Sequence, residues 1–129
     1  NQEQITVIDY QDMKIGPIGI DLSGILIDHY YNVDFKNIEN MLNYFSKQSK
    51  VKYSNSELLD FLRWGCIQRN MRILGTLANL YLRQRRDFRL KDLPMILTNL
   101  LSMIPDGFEG REYILDKIQP KLEKRISKI

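Results

Sequence analysis

Two carboxylates, Asp9 and Asp12, are the residues of this 129-residue chain best placed to do chemistry; they stand three apart in Ile8-Asp9-Tyr10-Gln11-Asp12. The β-branched run Ile5-Thr6-Val7-Ile8 predicts a short buried strand that ends at Asp9 and delivers its carboxylate to the start of a loop. Such a position suits Mg²⁺, a hard cation that takes oxygen ligands, bridges phosphate oxygens and neutralises charge during phosphoryl transfer. The same five residues also fit a plainer reading, in which Asp9 caps a turn and Asp12 is solvated. Gln68, Arg69 and Arg72 lie among apolar neighbours. There they either face an acceptor cleft or pair with an acidic group such as Asp28, and the structural pairing is the expectation. The only histidine, His29, has no pattern of a general base around it and is expected to be packed or at the surface.

These residues need elements to position them. Gly16-Pro17 signals a turn and a helix start, and Leu22, Ile25, Leu26 and Tyr30 recur at helical spacing, which predicts a helix from about Ile18 to Tyr31. Asp34 can cap a second helix with Ile38, Met41, Leu42 and Phe45 on its apolar face. Ser54 or Ser56 can cap a long third helix, the spine of the fold. Its expected buried face runs through Leu58, Leu59, Leu62, Ile67, Met71, Leu74, Leu77, Ala78 and Tyr81. Arg83 to Arg89 form a charged turn, and Leu90 to Met103 read as a fourth helix with Pro94 in its first turn. A last helix begins near Gly110 and carries Ile114, Ile118, Leu122, Ile126 and Ile129, with Pro120 expected to kink or interrupt it. The fold class is therefore mainly α with one short N-terminal strand, organised as a single helical domain over residues 1–129. A lone strand cannot satisfy its own backbone, so its neighbours are expected from a missing part of the chain or a second molecule.

Bulk properties narrow the function classes. A net charge of +3, with 19 basic residues against 16 acidic, is too small for a dedicated nucleic-acid binder, so no nucleic-acid partner is expected. The basic cluster Arg83, Arg85, Arg86, Arg89 and Lys91 reads as a solvated helix terminus. No stretch is long and apolar enough for a membrane span, and Asn1-Gln2-Glu3-Gln4 has no signal-peptide character. The single cysteine, Cys66, forms no internal disulfide and is expected to be a buried small hydrophobe in a cytoplasmic protein. Trp64 is expected in the core beside it. Tyr30, Tyr31, Tyr44, Tyr53 and Tyr81 are dispersed, and no aromatic sugar platform is expected from them. The start without methionine, entering an apolar run at once, suggests a truncated beginning.

Beyond Asp12 the chain continues Gly16-Pro17-Ile18-Gly19-Ile20-Asp21-Leu22-Ser23-Gly24-Ile25-Leu26-Ile27-Asp28, and later Gln68-Arg69-Asn70-Met71-Arg72-Ile73-Leu74-Gly75. The first stretch resembles the I-D-F-Q-D, G-P, Y-D-L-x-S-L-L-x-D signature of aminoglycoside-phosphotransferase-like kinases. Among these it is most similar to the bacterial cell-wall sugar kinases that act on N-acetylmuramate and N-acetylglucosamine at the anomeric position. The second resembles their Q-R-x-L-K-x-L-G helix, and the charged turn and Leu90-Lys91-Asp92-Leu93-Pro94 follow as in that family. The departures are Ile20, where the family has an aromatic residue, and Gly24, where it has a larger one.

The resemblance implies the helical part of a protein-kinase-like C-terminal, substrate-side lobe. It implies that Asp9 binds metal, that Asp12 lies near metal or substrate, and that a buried Asp21 anchors the catalytic loop. Gln68 and Arg69 are candidate substrate-side residues. Mg²⁺ and ATP would be the cofactors, and a sugar-like small molecule the partner, of a complete parent protein. The family's H-x-D-x-x-x-x-N catalytic loop and its nucleotide-binding N-terminal lobe are absent from this sequence. The chain alone is therefore expected to bind no cofactor and to be an inactive fragment of an ATP-dependent phosphotransferase. The other function class is a helical interaction module that keeps the fold without the chemistry. In either case, apolar surface left uncovered by the missing lobe is expected to drive homodimer formation, with the Ile5 to Ile8 strands as one route.

Overall fold

The computed structural model describes residue 6 and residues 14–28, 34–50 and 52–128, and among them all regular structure is helical. The strand expected around Ile5 to Ile8, and with it the route to a strand-paired homodimer, lies outside the described residues apart from Thr6.

Pro17 supplies the extended residue that starts the first helix, α1 (Ile18–Leu26). A proline there loses no helical hydrogen bond, because first-turn N–H groups have no partner within a helix. The inward stripe is Gly19, Leu22, Ser23 and Leu26, and the Ser23 hydroxyl donates to the Ile20 carbonyl at 2.8 Å. Ile25, expected inside, is 67% exposed because it falls well to the side of that stripe. The helix also stops earlier than Tyr31. Ile27 leaves helical geometry at φ −133° and ψ 66°, although its N–H still reaches the Ser23 carbonyl.

Asp34 caps α2 (Phe35–Gln48) by accepting from the Lys36 N–H at 3.2 Å. Ile38 and Leu42 are buried, whereas Met41 is half exposed. A capping box then starts α3 (Asn55–Gln84). The Glu57 N–H donates to Ser54 Oγ, and the Ser54 N–H donates back to Glu57 Oε2 at 2.8 Å. Those bonds, first from the Ser54 side chain and then from its backbone, hold the Glu57 carboxyl below its ordinary value. At thirty residues α3 is the expected spine. Its deepest stripe, Leu58, Leu62, Cys66 and Asn70, steps by four. Leu59 (38% exposed) and Met71 (56% exposed) each follow a stripe residue directly, which turns them about 100° away toward solvent. The helix ends at Arg85, left-handed at φ 56°, whose N–H bonds to the Tyr81 carbonyl at 3.0 Å.

A 3₁₀ turn, Leu90–Asp92, leads into α4 (Leu93–Met103), with Pro94 in the first turn as expected. The last segment comprises α5 (Arg111–Tyr113), a π-helical turn (Ile114–Ile118) and α6 (Gln119–Ile126). Pro120 therefore leaves the segment helical. In a regular α ladder its ring would meet the carbonyl four residues back. The widened turn, with the Gln119 N–H bonded to the Ile114 carbonyl five residues earlier, absorbs that conflict.

One cluster joins α1, α2, α3 and α4 through Leu22, Leu26, Ile38, Leu42, Leu58, Leu62 and Leu100, and a second joins Leu77, Leu90, Leu93 and Ile96 under Leu122 and Ile126. Inside the first, Asn70 Nδ2 donates to Cys66 Sγ at 2.9 Å, and the thiol points to the Asn99 carbonyl on α4 at 3.9 Å. Burial, opposed by the Asn70 bond and then by the charge of Arg69, pushes the Cys66 thiol up from 9.0 to about 11.

The closest approach in the fold is backbone on backbone. A Cβ added at Gly19 would collide with the Phe61 carbonyl and lie 3.2 Å from Phe61 Cα. One added at Gly65 would collide with the Gly19 carbonyl and lie 2.7 Å from the Ile20 nitrogen. Around Gly75, by contrast, nothing stands within 4 Å. Gly65→Ala is therefore expected to cost about 3 kcal/mol or more in urea unfolding, and Gly19→Ala a similar amount. Gly75→Ala, in the same helix as Gly65, should stabilise by about 0.5–1 kcal/mol. Equal effects at Gly65 and Gly75 would contradict the close crossing.

The Cys66 thiol should resist disulfide reagents at pH 8, reacting at the rate of unfolding. Because its folded pKa is raised, its contribution to stability is complete below about pH 9 and is lost as pH rises through about 11. Cys66→Ala should remove that part of the alkaline slope in unfolding midpoints, and rapid labelling of the native protein would contradict the burial.

Candidate functional site

Phe61, Trp64, Gly65 and Gln68 occupy positions i, i+3, i+4 and i+7 of α3 and so share one face of that helix. The segment from Gly16 to Ile20 runs along this face, held there by the Gly19 and Gly65 contact, and Tyr53 completes the wall. Together they line an open groove of about 430 Å³. Tyr53 and Phe61 meet edge to face with centroids 5.4 Å apart, and the Ser46 hydroxyl donates to the Tyr53 carbonyl at 2.8 Å. Trp64 is half exposed, and its indole is braced by Phe108 at 6.3 Å in an edge contact. Among the described residues that line it, none is an acid or a cation. These residues give the groove apolar faces, the Gln68 amide and the Tyr53 phenol, together with the start of α1, where no side chain caps the first-turn N–H groups.

The candidate residues from the sequence are distributed unevenly around it. Asp9, Asp12 and His29 lie outside the described residues. Asp21, expected to be buried, is exposed on α1, next in sequence to Ile20 of the lining. Its place follows from the inward stripe Gly19, Leu22, Ser23 and Leu26, which turns position 21 outward. Gln68 lines the groove. Arg69 does not; its Nη2 pairs with Asp28 Oδ2 at 3.2 Å, the structural partnership expected of it. A Cβ at Gly24 would lie 3.6 Å from Arg69 Nε, so the guanidinium passes over Gly24 at ordinary contact distance. Arg69 Nη1 is buried with no hydrogen-bond partner among the described residues. Arg89 of the basic turn pairs with Asp92 at 2.9 Å.

Sequence reasoning placed Trp64 in the core, and the structure corrects this. The signal available was its spacing with Phe61 and Gln68, on a different stripe from Leu58, Leu62 and Cys66. Among the described residues no group of three or more His, Cys, Asp or Glu side chains stands together as a metal site, and no described helix is long and apolar enough to cross a membrane.

Comparison with known proteins is sparse. No family model matches the chain, and no solved structure matches it. Over 99 residues, 73% of this chain, the sequence is 27% identical to an N-acetylmuramate/N-acetylglucosamine kinase of Neisseria meningitidis serogroup B. The chain spans 30% of the length of that relative. The similarity relates this mainly helical chain to a sugar kinase.

Proposed function

We propose that this chain is the helical, substrate-side part of an ATP-dependent kinase that phosphorylates a sugar hydroxyl, and that it works only with a nucleotide-binding lobe and a catalytic loop. The observation that carries this reading is the similarity to the sugar kinase over nearly three quarters of the chain. The Asp9 and Asp12 carboxylates supply hard oxygen ligands of the kind Mg²⁺ takes when it bridges phosphates. Asp21 is a positioning residue in this scheme. Its exposed carboxylate beside the groove is free of the helix core, where it can accept hydrogen bonds from a loop of the rest of the kinase. The described helices offer no metal cluster, and no catalytic step is assigned to them.

The test uses the full-length kinase that carries these residues, supplied with MgATP and N-acetylglucosamine. Transfer of the γ-phosphoryl group to the sugar is expected, and Asp9→Asn should lower kcat by about a hundredfold or more. The isolated 129-residue chain should show no transfer. ATP-dependent sugar phosphorylation by the isolated chain, removed by Asp9→Asn, would overturn its assignment as an inactive part. Full activity of the full-length Asp9→Asn protein would overturn the metal role.

A further inference from the structure

We infer that the groove beside Trp64 binds a neutral pyranose, with the indole as a platform for the apolar C–H face of the ring and the Gln68 amide as a hydrogen-bonding partner for its substituents. The inference deepens the sugar-kinase reading and takes its catalytic meaning from it, but the binding event can be measured separately.

Three independent features point to this ligand class. The first is size and form: about 430 Å³ is in the range of small-molecule sites, and the groove is open on one side. The second is the state of Trp64. A large aromatic side chain left half exposed in the lining, with Phe108 in edge contact, offers apolar surface to a ligand. Stacking on it removes apolar area from water on both partners. The third is charge. The described lining residues include no acid and no cation, so they offer no counter-ion to the ammonium groups of an aminoglycoside and none to a nucleotide phosphate.

What the groove does offer is matched to a sugar. Aromatic and aliphatic walls from Phe61, Trp64 and Ile18 suit ring carbons. The Gln68 amide both donates and accepts, and the Tyr53 phenol does the same, toward a hydroxyl or an acetamido group. A purely apolar ligand would leave these groups desolvated without partners.

Trp64 is the sole tryptophan, so emission at its wavelength reports on this groove alone. Titrating the chain with N-acetylglucosamine should give a saturable change in emission with Kd of about 1 mM. Protonated glucosamine, with the same ring and a positive charge in place of the acetamido group, should bind about tenfold more weakly. Gln68→Ala, at an exposed position that leaves the core intact, should weaken N-acetylglucosamine by about tenfold without changing the unfolding midpoint. For Trp64→Leu, saturation-transfer NMR on the sugar should lose its signal while the circular dichroism of the helices is kept. Absence of a saturable response, equal binding of glucosamine, or indifference to Gln68→Ala would each overturn the proposal. Sugar binding without phosphorylation by the full-length protein would defeat the kinase reading and leave the groove assigned. Phosphorylation with no response at Trp64 would place the acceptor elsewhere and defeat the groove.

Discussion

The direct contact of α1 and α3 at Gly19 and Gly65 is the constraint from which most of the structure follows. Helices with ordinary side chains at their crossing pack about 8–10 Å apart. Here each glycine leaves room for the backbone of the other helix, and a single added carbon on either side would collide with it. At nine residues α1 is too short to be stable by itself, so its helicity depends on what it packs against. Close approach brings Leu22 and Leu26 into the same cluster as Leu58, Leu62 and Leu100. It also determines where the core ends. Beyond the bare crossing, Phe61, Trp64 and Gln68 on one helix and Ile18 and Ile20 on the other stand apart, and the space between them is the groove.

A second contact stops α1 from pivoting about that crossing. Farther along both helices, Arg69 passes over Gly24 and pairs with Asp28, side chains that are mostly but not wholly buried. Successive contacts, Gly19 with Gly65 and then Gly24 and Asp28 with Arg69, advance in the same sense along the two chains. Such a pair adds modest net stability because both charges are partly desolvated. Its physical effect is on register. On the opposite side of α3, the chain of contacts from Asn70 through Cys66 to Asn99 serves α4 in a comparable way, with a thiol too buried to ionise at neutral pH.

Local chemistry was the part of the fold most readily read from the sequence. Asp34, Ser54 with Glu57, Gly16-Pro17 and Pro94 act through neighbours within a few residues, and they start helices where those residue types predict. The faces were harder. Ile25, Met41, Leu59 and Met71 satisfy helical periodicity as well as their buried neighbours do, because apolar spacing admits more than one stripe on a helix. Which stripe goes inside is decided by the partner helix, and here it is decided by two glycines forty-six positions apart that carry no hydropathic signal. Pro120 interrupts the α ladder as its residue type predicts, but the interruption is one widened turn that changes the acceptor and keeps the segment helical. For the site, spacing alone linked Phe61, Trp64 and Gln68. Asp9 and Asp12 acquired meaning only through the resemblance to kinases, since two carboxylates in a loop fit many roles.

In the proposed kinase the groove serves recognition. Its described lining carries no charged side chain, and the nearest carboxylate in sequence, Asp21, is turned to solvent. An uncharged wall has a physical advantage in a kinase acceptor site. Fixed cations there would attract the nucleotide phosphates away from the metal, and fixed anions would repel them at distances where the protein screens poorly. A surface of aromatic, glycine and amide groups orients a sugar without entering that electrostatic balance. In the proposed kinase, charge is then concentrated in the segment carrying Asp9 and Asp12, while the two crossed helices hold the acceptor still. A shift of the close glycine contact would move Ile18 and Ile20, and with them the wall of the groove.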